Sequence, residues 1–160
     1  MVFEATVFGP CRAIGVRYAG KNENGEVMRL WGEFLPRGEE IATAGSGGSF
    51  GVCRCLPGVK DGSFEYVAGF AATPDSAIPA GMMAVDIPRG EYYIGKYESV
   101  TDYKRAWNET MAALGAAPEW TTYCQGPDRC QCAAHPSFEF YPPEFCGNGP
   151  VWFCIPVYPK

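Results

Sequence analysis

The sequence has little positive charge. Lys and Arg number 13 against 18 Asp and Glu, which gives a formal net charge of −5 over 160 residues. Proteins that bind the phosphate backbone present a basic face, so we expect no direct contact with nucleic acid. An acidic protein is compatible with positively charged ligands, although net charge alone does not define a site.

Long apolar runs are also missing. No stretch of about 18 uncharged apolar residues occurs, which excludes a hydrophobic membrane-spanning helix. The first residues, Met1–Glu4, lack the basic and apolar regions of a signal peptide. We therefore expect a cytoplasmic protein without a membrane partner, whose eight cysteines are reduced thiols. Disulfides are the alternative, but a chain that is 47% apolar can fold without them.

The order strand–helix–strand–strand occurs twice along the chain. Trp31 and Trp107 occupy matching places on the two predicted helices, and Phe50–Val52 matches Phe138–Phe140 on the strands that follow. This pattern predicts one α+β domain over residues 1–160, built from a duplicated βαββ unit with antiparallel sheets, two helices and a central cavity between the repeats. Repeat 1 spans about 10–72 and repeat 2 about 82–158. The predicted strands are 11–18, 50–56, 63–72, 82–87, 91–97, 137–141 and 151–157; the predicted helices are about 26–35 and about 100–114, with Ser99 as the cap of the second.

Short motifs in this order resemble the GyrI-like family of effector-binding domains, which occur fused to AraC- and MerR-type transcription regulators of bacteria. The motifs are RYAG (17–20), LWGEF (30–34), FGV (50–52), FEYVAG (64–69), IPRGEY (87–92), FEFYP (138–142) and IPV (155–157). The resemblance implies a duplicated fold with a small-molecule cavity, in which Glu139 matches the cavity glutamate. Many members bind lipophilic cations through that glutamate, which implies multidrug binding and a role in transcription regulation. The match spans about residues 10–158, so we expect a free-standing domain, for which a separate regulator protein is a candidate partner.

Glu139 is the central candidate on physical grounds as well. In a strand, Glu139 shares one face with Tyr141 while Phe138 and Phe140 point to the other face. A glutamate in an edge hairpin most often faces water, and the residues alone favour that alternative. In an aromatic cavity the carboxylate would be costly to desolvate, and a cationic ligand would offset the cost.

Aromatic side chains supply the candidate walls of this cavity. Tyr66 alternates with Glu65, so only one of the two faces the cavity, and we assign Tyr66. Trp152 is assigned to the cavity, while Val151, Phe153 and Ile155 are assigned to the core. The predicted ligand-binding set is Glu139, Tyr66, Trp31, Trp107, Tyr141 and Trp152. Ordinary helix-to-sheet packing is the alternative for Trp31 and Trp107, and GyrI-like proteins often carry a charged residue at the position of Trp152.

Two other functions stay open. Some GyrI-like proteins resemble hydrolases of electrophilic small molecules, where Glu139 would act as general base and Tyr66 would donate to the developing oxygen. Other members act on a gyrase-like partner, which makes a protein-binding inhibitor of a topoisomerase the third alternative. We expect no cofactor.

The cysteines suggest a metal site only weakly. Cys124, Cys130, Cys132 and His135 lie within 12 residues, with Cys146 nearby. This is not the Cys-x2–4-Cys spacing of structural zinc sites. Cys53 and Cys55 share one face of a strand, where small apolar packing explains them better than a disulfide. We expect no bound metal.

Overall fold

The computed structural model describes residues 1–42, 47–123 and 134–160. These residues form nine β-strands, two α-helices and one 3-10 helix. In chain order the elements are β1 (Val2–Phe8), β2 (Cys11–Gly20), α1 (Glu26–Phe34), the 3-10 helix (Leu35–Glu40), β3 (Ser49–Cys55), β4 (Phe64–Ala72), β5 (Met83–Ile87), β6 (Gly90–Tyr97), α2 (Tyr103–Gly115), β7 (Trp120–Thr122), β8 (Ser137–Tyr141) and β9 (Val151–Pro159).

All strand pairs are antiparallel, and the strand order is symmetric about its centre. The order is β1-β6-β9-β8-β3-β4-β2-β5, with β7 added to β9. Strands β6, β9 and β8 on one side correspond to β2, β4 and β3 on the other. The outermost strands are exchanged between the two halves of the chain. Strand β1 of the first half pairs with β6 of the second half, and β5 of the second half pairs with β2 of the first half. The predicted α+β class, with an antiparallel sheet and two helices, is confirmed.

The sheet is strongly curved. A β-carbon added at Gly9, between β1 and β2, would lie 2.9 Å from the carbonyl oxygen of Pro88, between β5 and β6. Each of these two connections joins a strand at one end of the sheet to a strand at the other end, so the two ends lie close together. We call the enclosed surface the inner face; it buries an apolar core that includes Phe50, Tyr92 and Phe138.

Both helices pack on the opposite surface, which we call the outer face. Helix α1 contacts β2 and β4, and α2 contacts β6, β7 and β9. Leu30 and Phe34 are the buried residues of α1. The predicted stop near Pro36 is correct for the α-helix, but the chain continues as the 3-10 helix, in which a proline in the first turn needs no backbone donor.

The predicted start of α2 was wrong by about one turn. Asp102, not Ser99, is the N-cap, and its side chain accepts a hydrogen bond from the backbone nitrogen of Arg105. Val100 is buried, and its backbone nitrogen donates to the carbonyl oxygen of Asn148 at 2.6 Å. This contact holds the segment outside the helix. Within the described ranges, neither helix has the length and apolar character needed to cross a bilayer.

Candidate functional site

The two halves of the sheet meet at Glu139. This residue lies on β8, directly opposite Gly51 of β3, and these two strands are the central pair of the sheet. Phe138 belongs to the inner core, so strand alternation turns Glu139 to the outer face, where the helices pack. Glu139 is only 6% exposed, so the expectation that a strand glutamate faces water does not apply here.

Three neutral donors hold the Glu139 carboxylate. The hydroxyls of Tyr66 and Tyr141 each donate to Oε2 at 2.7 Å. The indole nitrogen of Trp107 donates to Oε1 at 3.1 Å. Trp31 contributes indirectly, because its indole nitrogen donates to the Tyr66 hydroxyl at 3.0 Å. The two tryptophans that match in the sequence thus join one hydrogen-bond network from the two helices.

No basic side chain of residues 1–42, 47–123 or 134–160 neutralises the charge of Glu139. Among the ion pairs of the described residues, none includes Glu139. Burial raises the pKa of its carboxyl, and the hydrogen bonds from Tyr141, Tyr66 and Trp107 lower it only in part. Burial and the adjacent Glu139 charge raise the pKa values of Tyr66 and Tyr141, so both hydroxyls stay protonated donors.

Aromatic rings surround this carboxylate. The rings of Trp31 and Tyr141 meet edge to face with centroids 5.4 Å apart, and those of Trp107 and Phe153 are 5.1 Å apart. Tyr103 packs beside Tyr141 at 6.5 Å. A buried carboxylate among aromatic faces can attract a cation through both charge and ring quadrupoles.

The assignment of Trp152 to this cluster was wrong. Trp152 pairs with Phe140 across β8 and β9, their rings lie 5.2 Å apart, and both pack against the inner core. The ammonium of Lys96 lies 4.5 Å from the Trp152 ring centroid. The assignment of Phe153 to the core is confirmed, since it is fully buried in the core beneath α2, where Glu139 is its strand partner. Trp152 was misassigned because both faces of β9 are apolar, so composition could not distinguish them.

Sequence reasoning missed three residues of the site: Gly51, Tyr103 and Phe153. Tyr103 precedes Trp107 by four residues, so the two share one face of a helix, which was a usable signal. Phe153 and Gly51 depend on the register of strand pairs, which the sequence pattern did not specify.

The expectation that the cysteine-containing segment binds no metal remains a prediction. Cys124, Cys130 and Cys132 lie outside the described residues. His135 stacks on Tyr123 with ring centroids 4.0 Å apart. Across the part of the chain that the structure describes, no group of three or more metal-ligating side chains occurs.

Comparison with known proteins identifies the family to which the chain belongs. The profile of the Cass2 family, integron-associated effector binding proteins, matches residues 9–157. The transcriptional regulator BrlR of Pseudomonas aeruginosa is 26% identical over 155 residues, covering 91% of this chain and 51% of BrlR. The chain thus spans about half the length of this curated relative.

Solved structures share the fold. The structure of SAV2435 bound to tetraphenylphosphonium has a TM-score of 0.65 at 13% identity, covering 99% of this chain and 94% of that one. An integron cassette protein from the mobile metagenome of Vibrio cholerae has a TM-score of 0.62 at 16% identity, with coverages of 98% and 95%. The C-terminal domain of EcmrR has a TM-score of 0.62 at 11% identity, and the match covers 99% of each chain.

The fold and the family match define a GyrI-like effector-binding domain, a class whose ligands are small molecules. Within that class, the chain belongs to the Cass2 family of integron-associated effector binding proteins.

Proposed function

We propose that this domain binds lipophilic aromatic cations, with Glu139 as the counter-charge. The observation that carries the proposal is a 6% exposed carboxylate whose partners among the described residues are neutral donors. A buried carboxylate without a basic partner is costly in its ionised form. A bound cation supplies the positive charge that the site lacks. Aromatic or aliphatic groups on the same ligand pack against the surrounding rings and keep water away from them.

The rings add to this selectivity. A cation over an aromatic face gains roughly 0.5–2 kcal/mol, depending on desolvation. An anion is repelled by both the carboxylate and the ring faces. Because charge and not close shape fit provides the discrimination, the site is suited to cations of varied structure.

The related proteins support the same ligand class and a regulatory setting. SAV2435 was solved with tetraphenylphosphonium, a lipophilic aromatic cation. BrlR is a transcriptional regulator of about twice this length. We propose that the domain acts in the cytoplasm and that any effect on transcription passes through a regulator protein as partner.

The test compares two ions of nearly the same shape and opposite charge. Tetraphenylphosphonium should bind with a micromolar Kd, on the order of −8 kcal/mol, whereas tetraphenylborate should not bind at this site. Glu139→Gln retains the shape and removes the charge, so it should weaken phosphonium binding by about tenfold or more. Titration calorimetry measures both. Glu33→Gln, on the exposed side of α1, is the matched control. Unchanged phosphonium binding by Glu139→Gln would overturn the proposal.

Hydrolysis is the second candidate function, and the raised pKa of Glu139 favours it because a general base works best when its pKa approaches the working pH. Incubation with styrene oxide, a strained electrophile, tests this. Diol formation by the wild-type protein, lost in Glu139→Gln, would support hydrolysis; absence of diol above the buffer rate would count against it.

A further inference from the structure

At the centre of the sheet, the strand pairing is symmetric, but the two halves do not supply the same charge. Gly51 and Glu139 are opposite each other, and the pairs on either side are Phe50 with Phe140 and Val52 with Phe138. Residues that match between the two halves therefore lie around a single point. At that point one half supplies a carboxylate and the other half supplies a glycine.

Glycine is required at this position by the site itself. A β-carbon on Gly51 would overlap the Tyr66 hydroxyl oxygen and lie 2.6 Å from Oε2 of Glu139. The space that a side chain of residue 51 would fill is thus occupied by the Tyr66–Glu139 hydrogen bond. The matching position cannot hold a second acid without dismantling that contact.

A second negative charge is not supplied from elsewhere in the described residues. Glu65 and Glu139 are the acidic residues buried there. Glu65 precedes Tyr66 on β4 and so points to the inner face. It is ion-paired with Arg17 at 2.6 Å and with Arg54 at the same distance. Its charge is therefore already neutralised.

We propose that the site accepts one positive charge per domain and selects monocations over compact dications. This inference rests on the proposed function and specifies its substrate class. A monocation and Glu139 make a neutral, buried pair. A compact dication would leave one positive charge among aromatic side chains without a partner, at the desolvation cost of an unpaired buried ion.

The test uses two ligands that differ by one methyl group and one charge: N-methyl-4,4′-bipyridinium and N,N′-dimethyl-4,4′-bipyridinium. Each displaces tetraphenylphosphonium in a competition titration at pH 7.5 and low salt. We expect the dication to bind at least about tenfold more weakly. Equal or tighter binding of the dication would overturn the inference, and so would failure of the monocation to compete. If tetraphenylphosphonium itself does not bind, the proposed function fails instead.

Gly51→Ala tests whether the site requires a glycine at position 51. It should weaken tetraphenylphosphonium binding by at least about tenfold while far-ultraviolet circular dichroism stays that of the folded protein. Gly90→Ala is the matched control, since its β-carbon would meet only Tyr92 Cε2, at 3.9 Å. Normal binding by Gly51→Ala would contradict the role of the glycine. If Gly51→Ala does not fold, the bipyridinium comparison on the wild-type protein still decides the inference.

Discussion

At the scale of single residues, Glu65 and Glu139 are two buried carboxylates with different hydrogen-bond partners. Glu65 has two arginine partners, whereas Glu139 has two tyrosines and a tryptophan. Neutral donors stabilise the anion without cancelling its charge, so only Glu139 keeps an attraction for a cation. This contrast follows from strand alternation, which turns Glu65 and Tyr66 to opposite faces.

Tyr141→Phe should raise the pKa of Glu139 further, because it removes a hydrogen bond that lowers that pKa. Cations bind the ionised carboxylate, so the pH at which tetraphenylphosphonium affinity falls to half should move upward. Binding titrations from pH 4.5 to 8.5, a range that extends above the ordinary glutamate pKa of about 4.3, measure the midpoint.

Tyr158→Phe, at a 40% exposed tyrosine, is the control and should leave the midpoint unchanged. A midpoint that stays fixed or falls in Tyr141→Phe would contradict the role of its hydroxyl.

Residue patterns predicted most of this cluster. Strand alternation placed Tyr141 on the face of Glu139 and left Tyr66 and Glu65 as alternatives, and the matching places of Trp31 and Trp107 on the two helices singled out both tryptophans. Trp152 was misplaced because the choice between the faces of β9 rested on apolar content. That criterion fails when the inner core and the helices bury both faces of one strand.

At the scale of elements, the central strands, the edge strand β5 and both helices were predictable, but several of their ends and the strands β1 and β7 were not. The sequence of β1, VFEATVF, has the β-branched and aromatic residues of a strand, yet nothing local indicates that it pairs with β6. The α2 start was misplaced because Ser99 and Asp102 are both good caps. A contact between Val100 and the distant Asn148 decided between them.

Asp102→Ala should therefore destabilise the domain by about 1 kcal/mol, the usual cost of losing a side-chain N-cap. Urea unfolding followed by tryptophan fluorescence measures the change in midpoint. Ser99→Ala should change the free energy of unfolding by less than about 0.5 kcal/mol. If Ser99→Ala is the more destabilising of the two, the helix begins where the sequence pattern suggested.

At the scale of the whole molecule, the fold brings residues from distant parts of the chain to one buried charge. Trp31, Tyr66, Trp107 and Glu139 come from α1, β4, α2 and β8, and the central β3–β8 pair brings the two halves together. The doubled order of elements predicted that the two halves pack against each other. The single carboxylate could not be predicted from it, because a perfect duplication would have placed the same residue type at positions 51 and 139.

One buried carboxylate with a raised pKa couples cation binding to proton release. Well above that pKa, Glu139 is already ionised and binding should release no proton. As the pH falls toward and below it, the free domain is increasingly protonated, and a cation must displace up to one proton. Tyr66, Tyr103 and Tyr141 stay protonated because their pKa values are raised, so Glu139 is the group of this cluster that titrates. Calorimetry of tetraphenylphosphonium binding in buffers of different ionisation enthalpy gives the number of protons released at each pH. It should rise from zero toward one with acid in the wild-type protein and stay near zero in Glu139→Gln wherever binding remains measurable. Release that persists in Glu139→Gln would assign the linked proton to another group, and release that grows with rising pH would contradict the raised pKa on which the coupling depends.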